Sequence, residues 1–453
     1  MKFFFETYGC QMNIAESAAL VLAARERGWE EAECAEEADL ILLNTCSVRA
    51  TAEQRVMGRL AHYRAFRKKR SSFSLVVAGC MAERLGEKLK KEGADFLMGT
   101  SARSTFPMIL KAVEEGISGA ALPAELLPGA EKPDFSFSAF HHDINNPFRS
   151  FVPIMHGCNN FCSYCIVPFV RGREVSRSPD AIIDEIRLLA ERGCREITLL
   201  GQNVNSYLWE GDMKNRLSSR DGMLDFPGLL ELIAGRVDTE KIRWVRFLSS
   251  HPKDFSDESI RVLAENPCFC RHIHLPVQHG SNRILLAMNR RYTREIYLDL
   301  VRRLRSAMPD LSLSTDFLVG FPGETEEDIE ETLALMEEVK FLYAYMYHFN
   351  PREGSAAYSL ADRIPEDVKR RRLSRVISLQ KKHTTELLKS RIGQKVTVLM
   401  EGISRKNADE LICRTERDEM AVVPGKAALI GTFGELTLSS LRGNTFRAAS
   451  LDV

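Results

Sequence analysis

The 453-residue sequence predicts a multidomain α/β protein: an N-terminal α/β domain on a parallel sheet, a larger series of β/α units, and a small all-β module. Three features lead there. Continuous apolar runs alternate with amphipathic helical segments up to about residue 120, and the alternation restarts on a larger scale at Phe151. After Arg391 the pattern changes to short strands broken by glycine and charged turns. At about 150 residues per domain, the length accommodates three.

In the first series, Phe3-Phe4-Phe5 runs into Tyr8-Gly9-Cys10, Leu40 to Leu43 into Asn44-Thr45-Cys46, and Leu75 to Ala78 into Gly79-Cys80. Helical segments such as Ala15 to Arg27 and Ala52 to Phe66 lie between them. Apolar strands without polar alternation suit a parallel sheet covered on both faces. Ligands of such sheets bind beyond the carboxyl ends of the strands. Cys10, Cys46 and Cys80 are therefore expected at one edge, although they are far apart in sequence. Residues 1–126 are read as this domain. Residues 127–150 read as a linker, with Pro128, Gly129, Pro133, Pro147 and the adjacent His141 and His142.

The second series, 151–390, offers strands at Phe151–His156, Glu196–Leu200, Arg243–Leu248, His272–Leu275, Leu311–Val319 and Phe341–Tyr347. Ser178-Pro179 starts a helix by N-cap and first-turn preference, and Gly193 ends it. Thr325 to Asp328 forms a capping box for another. Six such units make either an open sheet or a partial barrel, and in both the turns after the strands carry the chemistry. A basic helix follows from Lys369 to Arg391, with Glu386 its single acid. Residues 391–453 hold strand candidates at Lys395–Met400, Glu410–Thr415, Met420–Val423 and Glu435–Leu438.

Lys+Arg and Asp+Glu tie at 62 each, which excludes nucleic-acid binding by bulk positive charge and leaves local patches. Arg55 to Arg70 and Lys369 to Arg391 are two such patches, and either could be a phosphate footprint or a solvated face. The acidic runs Glu26 to Asp39 and Glu324 to Glu338 read as solvated helix faces. No apolar stretch is long enough for a membrane span, and Glu6 interrupts the opening apolar run, so a cytoplasmic protein is expected. There, the 11 cysteines suggest metal ligands rather than disulfides. Cys34, Cys194, Cys268, Cys270 and Cys413 have no ligand partners at useful spacing and read as structural.

Cys158, Cys162 and Cys165 follow the first strand of the second series as C-x3-C-x2-C, with no fourth cysteine nearby. Three close thiolates leave one iron of a four-iron cluster open to an outside ligand. The alternative is a zinc site completed elsewhere, with His156 as a candidate.

With these cysteines the chain resembles the radical S-adenosylmethionine (SAM) enzymes, and further motifs resemble their methylthiotransferase family. These are Tyr8-Gly9-Cys10-Gln11-Met12-Asn13, Asn44-Thr45-Cys46-Ser47-Val48-Arg49, Gly79-Cys80-Met81-Ala82, Gly201-Gln202-Asn203-Val204-Asn205, Leu275 to Ser281, and Asp316 to Thr325. The last module resembles the RNA-binding TRAM domain, as a small barrel. The form around Cys10 is similar to the branch that modifies N6-isopentenyladenosine at tRNA nucleotide 37. Sister branches act on threonylcarbamoyladenosine or on a ribosomal-protein aspartate.

The resemblance implies a partial (β/α)6 radical SAM barrel and two four-iron (4Fe-4S) clusters. One sits on Cys158, Cys162 and Cys165 and binds S-adenosyl-L-methionine. The other, on Cys10, Cys46 and Cys80, carries the sulfur to be transferred. One S-adenosylmethionine gives the methyl group and a second the 5'-deoxyadenosyl radical. Gln202, Asn203, Gln278, Ser281, Gly320 and Glu324 fall at expected strand ends and are candidates to hold nucleoside or cofactor, with local turn geometry as the alternative use. No side chain is required as a general base. The implied partners are the tRNA anticodon stem-loop and an electron donor such as flavodoxin or ferredoxin; the sulfur donor is not indicated, and a monomer is the default. A reading of another class is an RNA-binding protein whose clusters are structural or only carry electrons.

Overall fold

The computed structural model describes residues 1–48, 50–69, 73–117, 147–211 and 223–452. Most of the expected linker, with His141 and His142, lies outside them, as do the end of the first domain at 126, Arg49 and Arg70.

In the N-terminal unit, Lys2–Thr7, Leu40–Thr45, Ser74–Gly79 and Phe96–Met98 pair in parallel, and Glu30–Glu31 adds a short edge beside Lys2–Thr7. Leu40 and Leu42 pack with Leu20 and Phe106 on one face, while Ile41 and Leu43 pack with Val56, Leu60 and Tyr63 on the other. Helices cover both faces, so every residue of the strand is apolar up to Asn44. Chain order reverses between Lys2–Thr7 and Leu40–Thr45, the crevice where doubly wound sheets bind ligands. Cys10 and Cys46 follow those two strands.

In the second unit, Arg149–Pro153, Glu196–Leu200 and Trp244–Phe247 form one parallel sheet, and His272–His274, Ser312–Val319 and Tyr343–His348 another. A parallel bridge between Val245 and Phe269 joins them. The six strands run in sequence order, and among the described residues no pairing joins the first to the last. This is a partial barrel. Ile197, Leu199, Val245, Leu313 and Phe317 pack under the helices, so the alternating Thr198, His272, His274, Ser314 and Asp316 line the inside. Two expectations are corrected. Arg149 and Ser150 belong to the first barrel strand, not to a linker. Met155–His156 is not part of that strand; it pairs antiparallel with Val175–Ser176.

The C-terminal unit is a six-stranded sheet, from Lys395–Ser404 to Thr445–Arg447. It packs on the amino ends of the barrel strands. Trp244 meets Phe433 at 4.9 Å between ring centres, and Arg246 donates to the carbonyls of Thr415 (3.0 Å) and Glu416 (2.8 Å). Buried Glu196 accepts from Arg414 at 2.6 Å and Arg246 at 3.2 Å, with Arg149 at 3.3 Å.

The basic helix, Glu366–Lys389, lies beside an acidic one. Arg372 bonds Glu324 and Glu326, each at 2.8 Å, Arg375 pairs with Glu330, and Lys382 with Glu337. The acidic helix Glu326–Val339 is thus this helix's partner, while Glu326, Glu330 and Glu337 stay exposed as on the solvated face expected. In the first basic run Arg59 pairs with Glu6, Arg64 with Glu92 and Arg67 with Asp95. Arg55, Lys68 and Lys69 are exposed.

Candidate active site

Three strand ends bring Cys10, Cys46 and Cys80 together, and two glycines let them approach. Gly9 has φ +127°, and a Cβ there would lie 2.4 Å from the Cys46 Cβ. Gly79 has φ +88°, and its Cβ would lie 2.5 Å from the Thr45 carbonyl oxygen. Only glycine satisfies both demands. Asn13 fixes the crossing: its Nδ2 donates to the carbonyls of Tyr8 (3.0 Å) and Thr45 (2.9 Å), and its Oδ1 accepts from Cys10 Sγ at 3.4 Å. Burial, and then the neighbouring Cys80 and Cys10, push the Cys46 thiol up to about 12.

The second trio lies on the loop after the first barrel strand. Gly157 has φ +78°, and a Cβ would sit 2.0 Å from the Arg173 carbonyl oxygen. Its N–H donates to Gln202 Oε1 at 2.6 Å, and Cys158 N–H donates to the Gly172 carbonyl at 3.1 Å. From across the barrel, Asn289 Nδ2 reaches the Phe161 carbonyl at 2.9 Å and Ser163 Oγ the Ala287 carbonyl at 2.8 Å. Arg290, buried, donates to Cys162 Sγ at 3.3 Å and to the Pro276 carbonyl at 2.8 Å. Burial pushes Cys158 up to about 11 and Cys165 up to about 12.

The two trios face each other. Cys80 packs against Ile166 and Val170, just beyond Cys165. Thr100 Oγ1 donates to the Val170 carbonyl at 2.6 Å, and Arg171 pairs with Glu16 of the N-terminal domain at 2.7 Å. Arg352 adds a further contact, to Glu53 at 3.3 Å.

The polar candidates separate. Asn203 is buried and donates to Asp254 at 2.8 Å, while its Oδ1 has no partner among the described residues. Nearby His251 donates its backbone N–H to Asn205 Oδ1 at 2.8 Å and accepts from the Lys253 N–H at Nδ1 (3.3 Å), which leaves Nε2–H a donor without a partner among the described residues. Unpartnered buried polar atoms are rare, and this acceptor and this donor mark a place for a polar ligand. Gln278 adopts φ +72° and joins the barrel rim through its backbone, to Asp316 and Leu318. Gln202 serves the cysteine loop. Ser281 Oγ bonds Asp328 at 2.6 Å. Buried Glu324 accepts from Gly320 N–H (2.8 Å), Arg372 (2.8 Å) and His279, whose Nε2 is 3.1 Å away. Ser281, Gly320 and Glu324 therefore knit the loop and helix together, which leaves Glu324 little capacity for a ligand. The residues that sequence reasoning missed are Arg290, Arg171, Glu16 and His251. The signal was cations and acids at buried positions, which only three-dimensional neighbours disclose.

Among the described residues no three His, Cys, Asp or Glu side chains meet where a single metal ion would sit. His156, considered for a zinc site, is buried, and neither ring nitrogen has a hydrogen-bond partner among the described residues. Burial, then Arg171 and Arg103, hold its pKa far below the ordinary value. Two guanidiniums beside it make a poor setting for a zinc ligand. The two cysteine cradles, closed by glycines, fit a larger cluster at each trio.

A partial parallel barrel with a three-cysteine loop beyond its first strand defines a radical SAM protein, and residues 152–336 match the Radical SAM superfamily. Residues 2–99 match a family described as uncharacterized protein family UPF0004. A radical S-adenosylmethionine methyltransferase from Kitasatospora setae shares the fold, with TM-score 0.56 and 16% identity over 76% of this chain and 72% of its own. The tRNA-2-methylthio-N(6)-dimethylallyladenosine synthase of Treponema denticola is 50% identical over 99% of both chains, and that of Bacteroides thetaiotaomicron 41% identical over 98% of this chain and 95% of its own. The chain belongs to this synthase family. No helix among the described residues is long and apolar enough to cross a membrane.

Proposed function

We propose that the protein replaces the C2 hydrogen of N6-isopentenyladenosine at tRNA nucleotide 37 with a methylthio group. Full-length similarity to synthases of that name carries the reading, and two facing cysteine trios fit it. Cys158, Cys162 and Cys165 would hold one 4Fe-4S cluster, and Cys10, Cys46 and Cys80 the other. The clusters and S-adenosylmethionine supply the radical, the sulfur and the methyl group. The chain's own part is placement and shielding. Asn203 and His251 offer unpartnered polar atoms to the cofactor, and Gln278 shapes the barrel rim. Ser314, His274 and Asp316 give the incoming base a polar wall. The interdomain contacts exclude water between the trios. The partners fitting this reading are tRNA and a small electron carrier of the flavodoxin or ferredoxin kind, for a cytoplasmic monomer.

Anaerobically reconstituted protein with S-adenosylmethionine and a reductant is given isopentenylated or threonylcarbamoylated tRNA, and the nucleosides are read by mass spectrometry. The methylthio product is expected only with the first. Product only with the second would overturn the substrate, and cleavage of S-adenosylmethionine without either would leave the target open.

A further inference from the structure

Between the two trios lies a buried group of charges that no cysteine ligation requires. Arg171 follows the barrel's cysteine loop, yet its side chain enters the N-terminal domain. There it pairs with Glu16 at 2.7 Å and approaches Asn13 Oδ1, the acceptor for Cys10, at 3.4 Å. Arg103 comes within 3.5 Å of the same Glu16 carboxylate. Arg171 is 4% exposed and Glu16 3%. Two guanidiniums thus meet at this one carboxylate, and Arg171 is the one almost wholly out of water. A buried guanidinium is costly unless anions are near. Within electrostatic reach of Arg171, besides Glu16, are the Cys80, Cys10 and Cys46 sulfurs and the neutral His156 ring.

We propose that Arg171, supplied by the barrel domain, is the counter-charge of the cluster held by Cys10, Cys46 and Cys80, and so sets that cluster's potential. This rests on the ligand assignment proposed above. Three thiolates on an oxidised four-iron core leave a net charge of about minus one, and reduction adds another; net charge and hydrogen bonding to sulfur are levers on potential. A fixed cation favours the reduced, more negative form and raises the potential. Arginine suits the role because it does not lose its proton. Gly172, next in the chain, accepts the Cys158 N–H at 3.1 Å. One dipeptide therefore touches both centres. Arg171 is a positioning residue: it acts on the sulfur-bearing cluster, not on the substrate.

The test uses full-length protein with Cys158, Cys162 and Cys165 replaced by alanine, so that only the N-terminal cluster remains. Its midpoint potential is read by electron paramagnetic resonance during redox titration, beside iron content. Arg171→Met should shift the midpoint to more negative potential. Arg171→Lys should hold it near the parent, and Glu16→Gln should shift it to more positive potential. Opposite shifts for Arg171→Met and Glu16→Gln separate a charge effect from damage, which would move both the same way. Shifts of the same sign, or no shift in either at normal iron content, would overturn the proposal. If Arg171→Met fails to hold iron, Glu16→Gln decides alone: an unmoved midpoint refutes it. A parent that binds no cluster would instead refute the ligand assignment.

Discussion

Glu196→Gln should undock the C-terminal module before the barrel unfolds. Glu196 is 1% exposed and neutralises Arg414, Arg246 and Arg149 where the two units meet. Burial opposes its ionisation, but these three guanidiniums win and hold its pKa at about 2. Relative to an ordinary carboxylate that depression is worth roughly 3 kcal/mol near neutrality. Removing one partner of a buried ion pair costs about 3–5 kcal/mol. The lower figure applies, because Arg414 keeps Glu401 at 2.6 Å and Asp418 at 2.9 Å, and Arg246 keeps two backbone carbonyls. Of the three guanidiniums only Arg414 crosses the interface, so docking should weaken by less than that whole figure, roughly tenfold, at about 1.4 kcal/mol per tenfold. Trp244, 3% exposed and against Phe433, reports the interface. With Trp29 and Trp209 replaced by phenylalanine, its emission during urea unfolding should shift to the red in an early step in Glu196→Gln and not in the parent. A depressed carboxylate stabilises fully above its unfolded pKa and loses that contribution as pH falls through the folded value. The parent should therefore undock as pH drops from about 4.5 towards 2, with Asp418, also held at about 2, acting in the same direction. A Glu196→Gln variant within about 0.5 kcal/mol of the parent would refute the reasoning, since distant surface changes do as much.

Gly157→Ala places a methyl group 2.0 Å from the Arg173 carbonyl at φ +78° and should lower bound iron to about half the parent's by closing the barrel loop. Gly28→Ala, at φ +84° in open space, should keep full iron and lose only about 1 kcal/mol of stability. Lys68→Ala with Lys69→Ala should reduce the slope of log affinity for tRNA against log salt, by about 1 for each phosphate no longer neutralised. Arg375→Ala with Lys382→Ala should leave that slope unchanged, because these side chains face Glu330 and Glu337; a reduced slope would return the basic helix to the RNA.

What the sequence discloses is local and periodic. Apolar runs that end in cysteine placed Cys10, Cys46 and Cys80 at strand ends, and Thr325 with Asp328 forms the capping box that its spacing suggests. Glu30–Glu31 escaped notice because it has no apolar residue; backbone pairing beside Lys2–Thr7 alone makes it a strand. The charge runs left their pairing undisclosed for a different reason. Composition counts charges along the chain, whereas Arg372 and Glu324 meet across packed helices. Arg171 and Glu16 belong to different domains, and nothing local in either motif points to the other.

Under the ligand assignment proposed above, the two cysteine trios also differ in what must fold before they could bind iron. Cys158, Cys162 and Cys165 lie within one loop, so part of that ligand set persists in an unfolded chain. Cys10, Cys46 and Cys80 come from three strands, and no such set exists until the parallel sheet has formed. In both places burial raises thiol pKa values, so an empty site favours protons over thiolates and metal must displace them. Each trio has one buried guanidinium to offset that cost: Arg290 beside Cys162, and Arg171 beside Cys80. Arg290 reaches its cysteine from the same barrel. Arg171 reaches across the domain boundary, so the N-terminal site has its full complement of charge only when both domains are folded and joined.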